Sequence, residues 1–377
     1  MRRMTYIYQL DGWPHFTWDA PSLAPALTAL RLRQGRLLGR MESLGFSLQK
    51  EATLESMTLE VVKTSEIEGD VLAEDQVRSS IARRLGMDIA GLVPSDRRVD
   101  GVVDMLLDAT GKFERPLTVE RLFRWHAALF PGRTDLKVGA WRDDARGPMR
   151  VVSGQIGAEK VHYEAPPAER LDAEMKAFLD WENGQDSLDP VLKAAIAHLW
   201  FVTLHPFDDG NGRIARALAD RALARSENSG QRFYSMSAQI RLERKAYYDV
   251  LELTQKDTLD ITDWLRWFLG CLDRAFAGAD SAMATVLLKE RFWKEHAGAS
   301  FNARQRLMLN RLIDGFEGKL TTMKWAKLAK CSHDTALRDI SDLIGRGILA
   351  QDAAGGRSTS YSLKPVGPQS SDKPPRV

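Results

Sequence analysis

Residues 205 to 216 read His205-Pro206-Phe207-Asp208-Asp209-Gly210-Asn211-Gly212-Arg213-Ile214-Ala215-Arg216. These residue types at this spacing suit the transfer of a phosphate-linked group. Gly210 and Gly212 let the backbone take positive φ and approach a ligand closely. Backbone N–H groups of such a turn, followed by a helix start, form an anion nest. Arg213 and Arg216, three residues apart, share a helix face just beyond it and match a polyphosphate with forked hydrogen bonds. Asp209 offers a single hard carboxylate at the edge of the nest. That suits Mg²⁺, which completes its shell with water and phosphate oxygens. His205 is the group here whose ordinary pKa lets it accept a proton near neutrality. The spacing Gly210-x-Gly212-x-x-Ala215 also fits a dinucleotide fingerprint, but that needs a preceding strand and here a helix precedes it. No Gly-Lys-Ser/Thr follows, which excludes a P-loop.

The elements that must hold this segment are mostly helical. Leu188 to Leu204 leads into it, with Val191, Leu192, Ala195, Ile196, Leu199 and Trp200 as an apolar face, and a second helix starts near Asn211. Upstream, helical periodicity runs from Ala24 to about Ile67 and again over Asp75–Arg84, Asp100–Ala109 and from Thr118. Glycines and prolines between Gly132 and Pro167 punctuate β-prone pieces such as Met149-Arg150-Val151-Val152, which predicts an irregular loop with a hairpin. Helices resume over Ala168–Trp181 and from Tyr247 through Leu272. The first twenty residues, with Tyr6, Tyr8, Trp13, Phe16 and Trp18, predict a short extended segment packed on the rest, in which His15 is structural. His126, His162 and His198 are lone histidines beside apolar neighbours, and His198 reads as a core residue. After about Ser300 come helices over Gln305–Leu312, Met323–Ala329 and Asp334–Ile344, then two strands joined through Gly355-Gly356. That order is a winged helix-turn-helix pattern. The tail from Pro365, rich in Pro, Ser and charge, predicts disorder.

Bulk properties narrow the class. The 377 residues allow two or three domains, and 44% hydrophobic with 28% charged content fits a soluble globular chain. A formal charge of +2 gives no whole-molecule field toward nucleic acid or anionic membrane, so such binding needs a local patch. Cys271 and Cys331 form no paired pattern, which points away from disulfides or a cysteine zinc site and toward a reducing cytoplasm. No signal peptide or membrane span is expected.

The segment resembles, position for position, the signature of Fic domains, His-x-Phe-x-Asp/Glu-Gly-Asn-Gly-Arg-x-x-Arg. The resemblance implies a mainly α fold, a helical core with a β-hairpin flap, that binds ATP with Mg²⁺. It implies that His205 deprotonates a Ser, Thr or Tyr hydroxyl of a target protein. It further implies that Asp209 holds the metal, that Gly210, Asn211 and Gly212 cradle the phosphates, and that Arg213 and Arg216 bind the β- and γ-phosphates. Phe207 would anchor the loop. Val151 and Val152 fall at the flap that aligns a target chain by strand addition, and Tyr248, with Tyr247, falls near the adenine.

Thr64-Ser65-Glu66-Ile67-Glu68-Gly69 resembles the inhibitory motif Ser/Thr-x-x-x-Glu-Gly/Asn of many Fic proteins. The resemblance implies that Glu68 pairs with Arg216 and keeps ATP from its productive pose. The aromatic opening and the C-terminal helix-turn-helix are similar to one bacterial Fic subgroup. The organisation expected is an N-terminal region with the inhibitory helix over 1–110, a Fic core over 111–275, a helical linker over 276–300, a winged helix over 301–364 and a tail over 365–377. The activity expected is autoinhibited protein adenylyltransfer, with ATP and a protein target as partners. This leaves room for self-modification and a homodimer. Removal of AMP, another nucleotide donor, or a DNA-binding regulator that uses the core as a nucleotide sensor are the competing readings. The intact His205 favours the enzyme. In the terminal domain Ser332 would cap the recognition helix, with His333, Thr335 and Arg338 near its exposed start and Arg357 on the wing, while Asp334, Asp339 and Asp342 oppose phosphate contact.

Overall fold

The computed structural model describes residues 5–87, 92–154, 160–185, 187–256, 258–313, 315–316, 318–352 and 359–364. Its contacts divide the chain into two compact units, Met1–Asp280 and Ser281–Val377. The expected tail, Gly355-Gly356 and Arg357 lie outside the described residues.

The first unit is helical apart from one hairpin. It contains α1 (Ala20–Glu42), α2 (Phe46–Ile67), α3 (Glu74–Arg84), α4 (Arg97–Gly111), α5 (Val119–Leu129), β1 (Arg150–Ser153), β2 (Lys160–Glu164), α6 (Leu171–Asn183), α7 (Pro190–Leu204), α8 (Asn211–Glu227), α9 (Met236–Leu242), α10 (Arg244–Thr254) and the start of α11 (Thr262–Glu295). The single helical run expected from Ala24 to Ile67 is two helices, broken at residues 43–45, where Gly45 is extended (φ −62°, ψ 151°). The opening segment is not extended throughout. It forms a 3₁₀ turn at Ile7–Gln9, and Thr17 bridges to Asp260. Its aromatics pack as expected, with Trp13 and Phe16 edge-on against Trp200 and Tyr6 against Tyr163.

The centre of this unit is α7. Asp189 caps it by accepting from the Val191 N–H at 2.8 Å, and Pro190 stands at its first position, where no intrahelical N–H partner is lost. Every residue from Val191 to Leu204 is buried, so α7 has no solvent face. A helix apolar on all sides belongs inside a core. Lys193 is accommodated by placing its ammonium on the carbonyls of Trp181 and Gly184, at 3.2 and 3.0 Å. α8 packs along α7, and α2 packs against α3, α8 and α9. Glu60, two turns before Glu68 on α2, fixes that helix to α9. Its carboxylate accepts from the Ser235 hydroxyl at 2.7 Å, the Ser237 N–H at 3.0 Å and the Ser237 hydroxyl.

The second unit takes the end of α11, then α12 (Ala303–Ile313), α13 (Thr322–Leu328), α14 (His333–Gly345), β3 (Leu349–Gln351) and β4 (Tyr361–Leu363). β3 and β4 pair antiparallel, with Leu349 opposite Leu363, and Leu320 bridges to Tyr361. Trp325, Ile340, Leu343, Met308 and Leu309 form its core. Among the described residues no helix is long and apolar enough to cross a membrane.

Candidate active site

The turn between α7 and α8 carries the site. α7 ends because His205 adopts the left-handed conformation (φ 49°, ψ 55°), and α8 begins after Gly210 does the same (φ 81°). A non-glycine residue at positive φ is uncommon and marks a place that the surroundings over-determine. Here the fixing group is Arg142, which is buried. Its Nε donates to the His205 carbonyl at 2.8 Å, and its backbone N–H donates to the Pro206 carbonyl at 2.9 Å. His205 Nδ1 lies 3.3 Å from the Val202 carbonyl, which assigns the proton to Nδ1 and leaves Nε2 as the acceptor. Burial pushes this imidazole down to about 4, against the Val202 contact and the charges of Glu68 and Asp209, which push it up. It is therefore neutral at pH 7, as a base must be.

Phe207 and Asn211 hold the turn in shape. Phe207 is fully buried and stacks flat on His126, with ring centroids 4.2 Å apart. His126 is no lone histidine, since its Nδ1 also accepts the Gly139 N–H at 3.0 Å. The Asn211 side chain accepts from the Phe207 N–H at 3.0 Å and donates to the Phe207 carbonyl at 2.8 Å. This closes the loop upon itself. Any phosphate cradling by Asn211 thus falls to its backbone. Gly210 must be glycine on two counts, since a Cβ there would also lie 2.8 Å from the Phe130 ring.

Above the start of α8 sits the end of α2. Arg216, 3% exposed, donates from Nη2 to Glu68 Oε1 at 2.7 Å and to the Thr64 carbonyl at 2.9 Å, and from Nε to the Thr64 hydroxyl at 2.7 Å. Its Nη1 is buried without a partner among the described residues. A Cβ built on Gly212 would stand 2.3 Å from Glu68 Oε1 and 3.2 Å from Arg216 Nη1. The Glu68 carboxylate thus lies in the hollow that the glycine leaves open. Arg213 is held by Asp70 at 3.1 Å, lies over the Phe130 ring at 5.0 Å, and is 3.9 Å from Asp209. Its Nε is also buried and unpartnered among the described residues. Asp209 is half-exposed, and its Oδ1 accepts from the Gly210 N–H at 2.6 Å. No group of three metal-ligating side chains exists among the described residues. A lone open carboxylate next to an anion hollow fits Mg²⁺, which shares its shell with phosphates, better than a metal needing an all-protein cage.

A cleft of about 820 Å³ opens over this turn, within the range of small-molecule sites. Glu68, His205, Asp209 and Gly212 line one side, Tyr248 and Arg244 another, and Val151 and Val152 a third. Tyr248 is 37% exposed with the Arg244 guanidinium 5.3 Å over its ring. Tyr247 also lines the cleft but is otherwise buried, with its hydroxyl 2.9 Å from His198 Nε2, and His198 belongs to the core. The hairpin runs antiparallel with a bulge between Val151, opposite Tyr163, and Val152, opposite Val161. His162, read from sequence as a lone histidine, ties the hairpin to α10. Its Nδ1 is 2.6 Å from Glu252, and its Nε2 is 2.5 Å from the Ser153 hydroxyl. Asp70, Arg142 and the His162–Glu252 tie were not singled out from sequence.

A family model described as the Fic/DOC family matches residues 116–223, which span the hairpin and the whole 205–216 turn. Residues 116–223 are a Fic domain. A second model, a domain of unknown function (DUF4172), matches residues 6–87, the stretch that carries Glu68. The chain is 35% identical over 119 residues to the uridine 5'-monophosphate transferase of Xanthomonas campestris, covering 29% of this chain and 21% of that one. It is 25% identical over 230 residues to the protein adenylyltransferase Fic of Nematostella vectensis, covering 60% of this chain and 49% of the relative. The chain thus spans half or less of the length of these curated relatives. A crystal structure of a Fic family protein from Desulfovibrio desulfuricans matches over 92% of this chain and 98% of its own, with TM-score 0.52 and 22% identity, a likeness of fold.

Proposed function

We propose that this protein is an autoinhibited protein adenylyltransferase. The observation that carries the reading is the hollow at Gly212, walled by a buried Arg216 with one unsatisfied donor and occupied by the carboxylate of Glu68. An anion already sits where the polyphosphate would go.

In the proposed reaction a Ser, Thr or Tyr hydroxyl of a target chain, laid along Val151 and Val152, attacks the α-phosphorus of ATP. His205 Nε2 accepts the hydroxyl proton, while Nδ1–H on the Val202 carbonyl fixes the tautomer. The bond from α-phosphorus to the β-bridging oxygen breaks. Arg213 and Arg216 hold the pyrophosphate as charge builds on it. Mg²⁺ held by Asp209 would neutralise phosphate charge. Glu68 opposes the reaction by retaining Arg216, which displaces the γ-phosphate, and misplacement by about an ångström costs on the order of a hundredfold in rate.

The test is intact mass after incubation with Mg²⁺ and ATP. Glu68→Gly should gain AMP, the wild type little, and Glu68→Gly combined with His205→Ala none. A gain that survives loss of His205 would remove the assigned base. The named activity of the Xanthomonas relative supports a second donor, so UTP belongs beside ATP in the same experiment. Modification from UTP alone would keep the site and change the base. In the alternative direction, water would attack the phosphorus of an AMP-modified target and release AMP and the free hydroxyl, which the mass of a pre-modified target would report as a loss.

A further inference from the structure

The near-neutral total charge hides a division. The unit Ser281–Val377 holds sixteen Lys and Arg against nine Asp and Glu, a net of +7. The unit Met1–Asp280 holds thirty-seven against forty-two, a net of −5. The basic unit contains α13, a tight turn through Lys330 (φ 49°), α14 and the β3–β4 ribbon. In α14, Ala336, Ile340 and Leu343 enter the core, which leaves Asp334, Leu337, Arg338 and Ser341 on the exposed face. Ser332 caps its start by accepting from the Thr335 N–H at 3.2 Å.

The sequence raised an objection to phosphate contact in the form of three aspartates on this helix. The structure buries one of them and pairs a second, exposed one with a cation. Asp339 is 5% exposed and is bound by Arg304 Nε at 2.7 Å and by Asn302 Nδ2 at 2.8 Å. Asp342 is neutralised by Arg346 at 2.9 Å and receives Gln305 Nε2 at 2.8 Å. Lys319, Lys324, Lys327, Lys330 and Arg338 are exposed, and Lys327, Lys330 and Arg338 form no ion pair among the described residues.

We propose that the 281–377 unit binds duplex DNA, with the first half of α14 in the major groove and the lysines of α13 and its turn on the phosphates. The B-form major groove admits an α-helix, whereas the deep, narrow A-form groove does not, which selects DNA over duplex RNA. Arg338 suits a guanine edge, and Leu337, 42% exposed, suits a thymine methyl. This inference is independent of the transfer chemistry.

The experiment is fluorescence anisotropy of a labelled mixed-sequence DNA duplex with the full chain at several salt concentrations. Three phosphate-neutralising lysines, Lys324, Lys327 and Lys330, give a log–log salt slope of about −2.7, so affinity falls about 40-fold between roughly 50 and 200 mM salt. Lys327→Ala with Lys330→Ala should reduce the slope by about 2 without lowering the melting temperature, because both side chains are exposed. Arg338→Ala should weaken binding to the preferred sequence more than to others. Absence of binding at low salt, a slope unchanged by the lysine pair, or equal affinity for duplex RNA would overturn the proposal. So would saturation of this surface by a protein partner in place of DNA.

Discussion

Replacing Glu68 should make the protein less stable and more active at once. Glu68 gives Arg216 one charge-assisted hydrogen bond at 2.7 Å, with the arginine 3% and the glutamate 29% exposed. Hydrogen bonds to charged groups contribute roughly 1.5–3 kcal/mol, and the partial exposure of Glu68 puts this one near about 2. The two contacts from Thr64 remain and keep the guanidinium in place. Without nucleotide, Glu68→Gly should therefore lose about 2 kcal/mol, a fall of roughly 4–8 °C in melting temperature for a unit of this size. With ATP the sign reverses. A phosphate no longer has to displace a carboxylate, so productive binding should tighten by about 30-fold, the equivalent of about 2 kcal/mol. Glu68→Gln keeps an acceptor but no charge and should fall between wild type and Glu68→Gly on both axes. The assay pairs thermal unfolding, with and without Mg²⁺-ATP, with the rate of AMP incorporation. A Glu68→Gly protein that melts like wild type, or that takes no extra stabilisation from ATP, would refute the reasoning.

Four further outcomes follow from the same geometry. Asp70→Asn frees Arg213 from a pair that is 39% exposed on the aspartate side, so ATP binding should tighten by less than about fivefold, in line with the ~1 kcal/mol ceiling of exposed pairs, as read by titration calorimetry. Adding Gly212→Ala to Glu68→Gly puts a methyl into the vacated hollow, and AMP incorporation should drop at least about a hundredfold while the melting temperature stays near that of Glu68→Gly. The neutral His205 is the active form and its pKa lies near 4, so kcat/KM of Glu68→Gly should be flat from neutrality downward and be lost only as pH falls through about 4. An acid limb at the ordinary imidazole value would contradict the burial of this side chain. Asn211→Ala removes both hydrogen bonds that close the turn on Phe207. It should cost about 1–3 kcal/mol in chemical denaturation and depress transfer even in the Glu68→Gly background.

The turn was legible because its chemistry is contiguous: His205, Asp209, the glycines and both arginines fall within two turns of chain on either side of one helix start. Other features were legible only in part. α7 was read as having one apolar face, because Lys193 and Thr203 break the pattern. In the structure Lys193 reaches carbonyls beyond its own helix and Thr203 bonds back to the Leu199 carbonyl at 2.8 Å, so both are buried. The break between α1 and α2 went unread because Leu44 and Leu48 carry helical spacing across Gly45. Glu68 was found through a motif that belongs to a resemblance. Asp70, whose partner Arg213 is 143 positions away, has no such motif, and no local pattern announces the pair. Arg142 was equally hidden, since its task is to hold the backbone of His205 and Pro206 rather than to carry a recognisable spacing. The Arg304–Asp339 salt bridge likewise joins two helices, α12 and α14, so sequence counted that charge as exposed.

The central claim is that the site cleaves ATP between its α- and β-phosphates and keeps the nucleotide half. Parallel incubation of Glu68→Gly with ATP labelled at the α- or at the γ-phosphate tests it most directly. The account predicts protein-bound label from the α-position only, with the γ-label leaving as pyrophosphate. Retention of the γ-label would mean phosphoryl transfer, and would contradict the roles given to His205, Arg213 and Arg216.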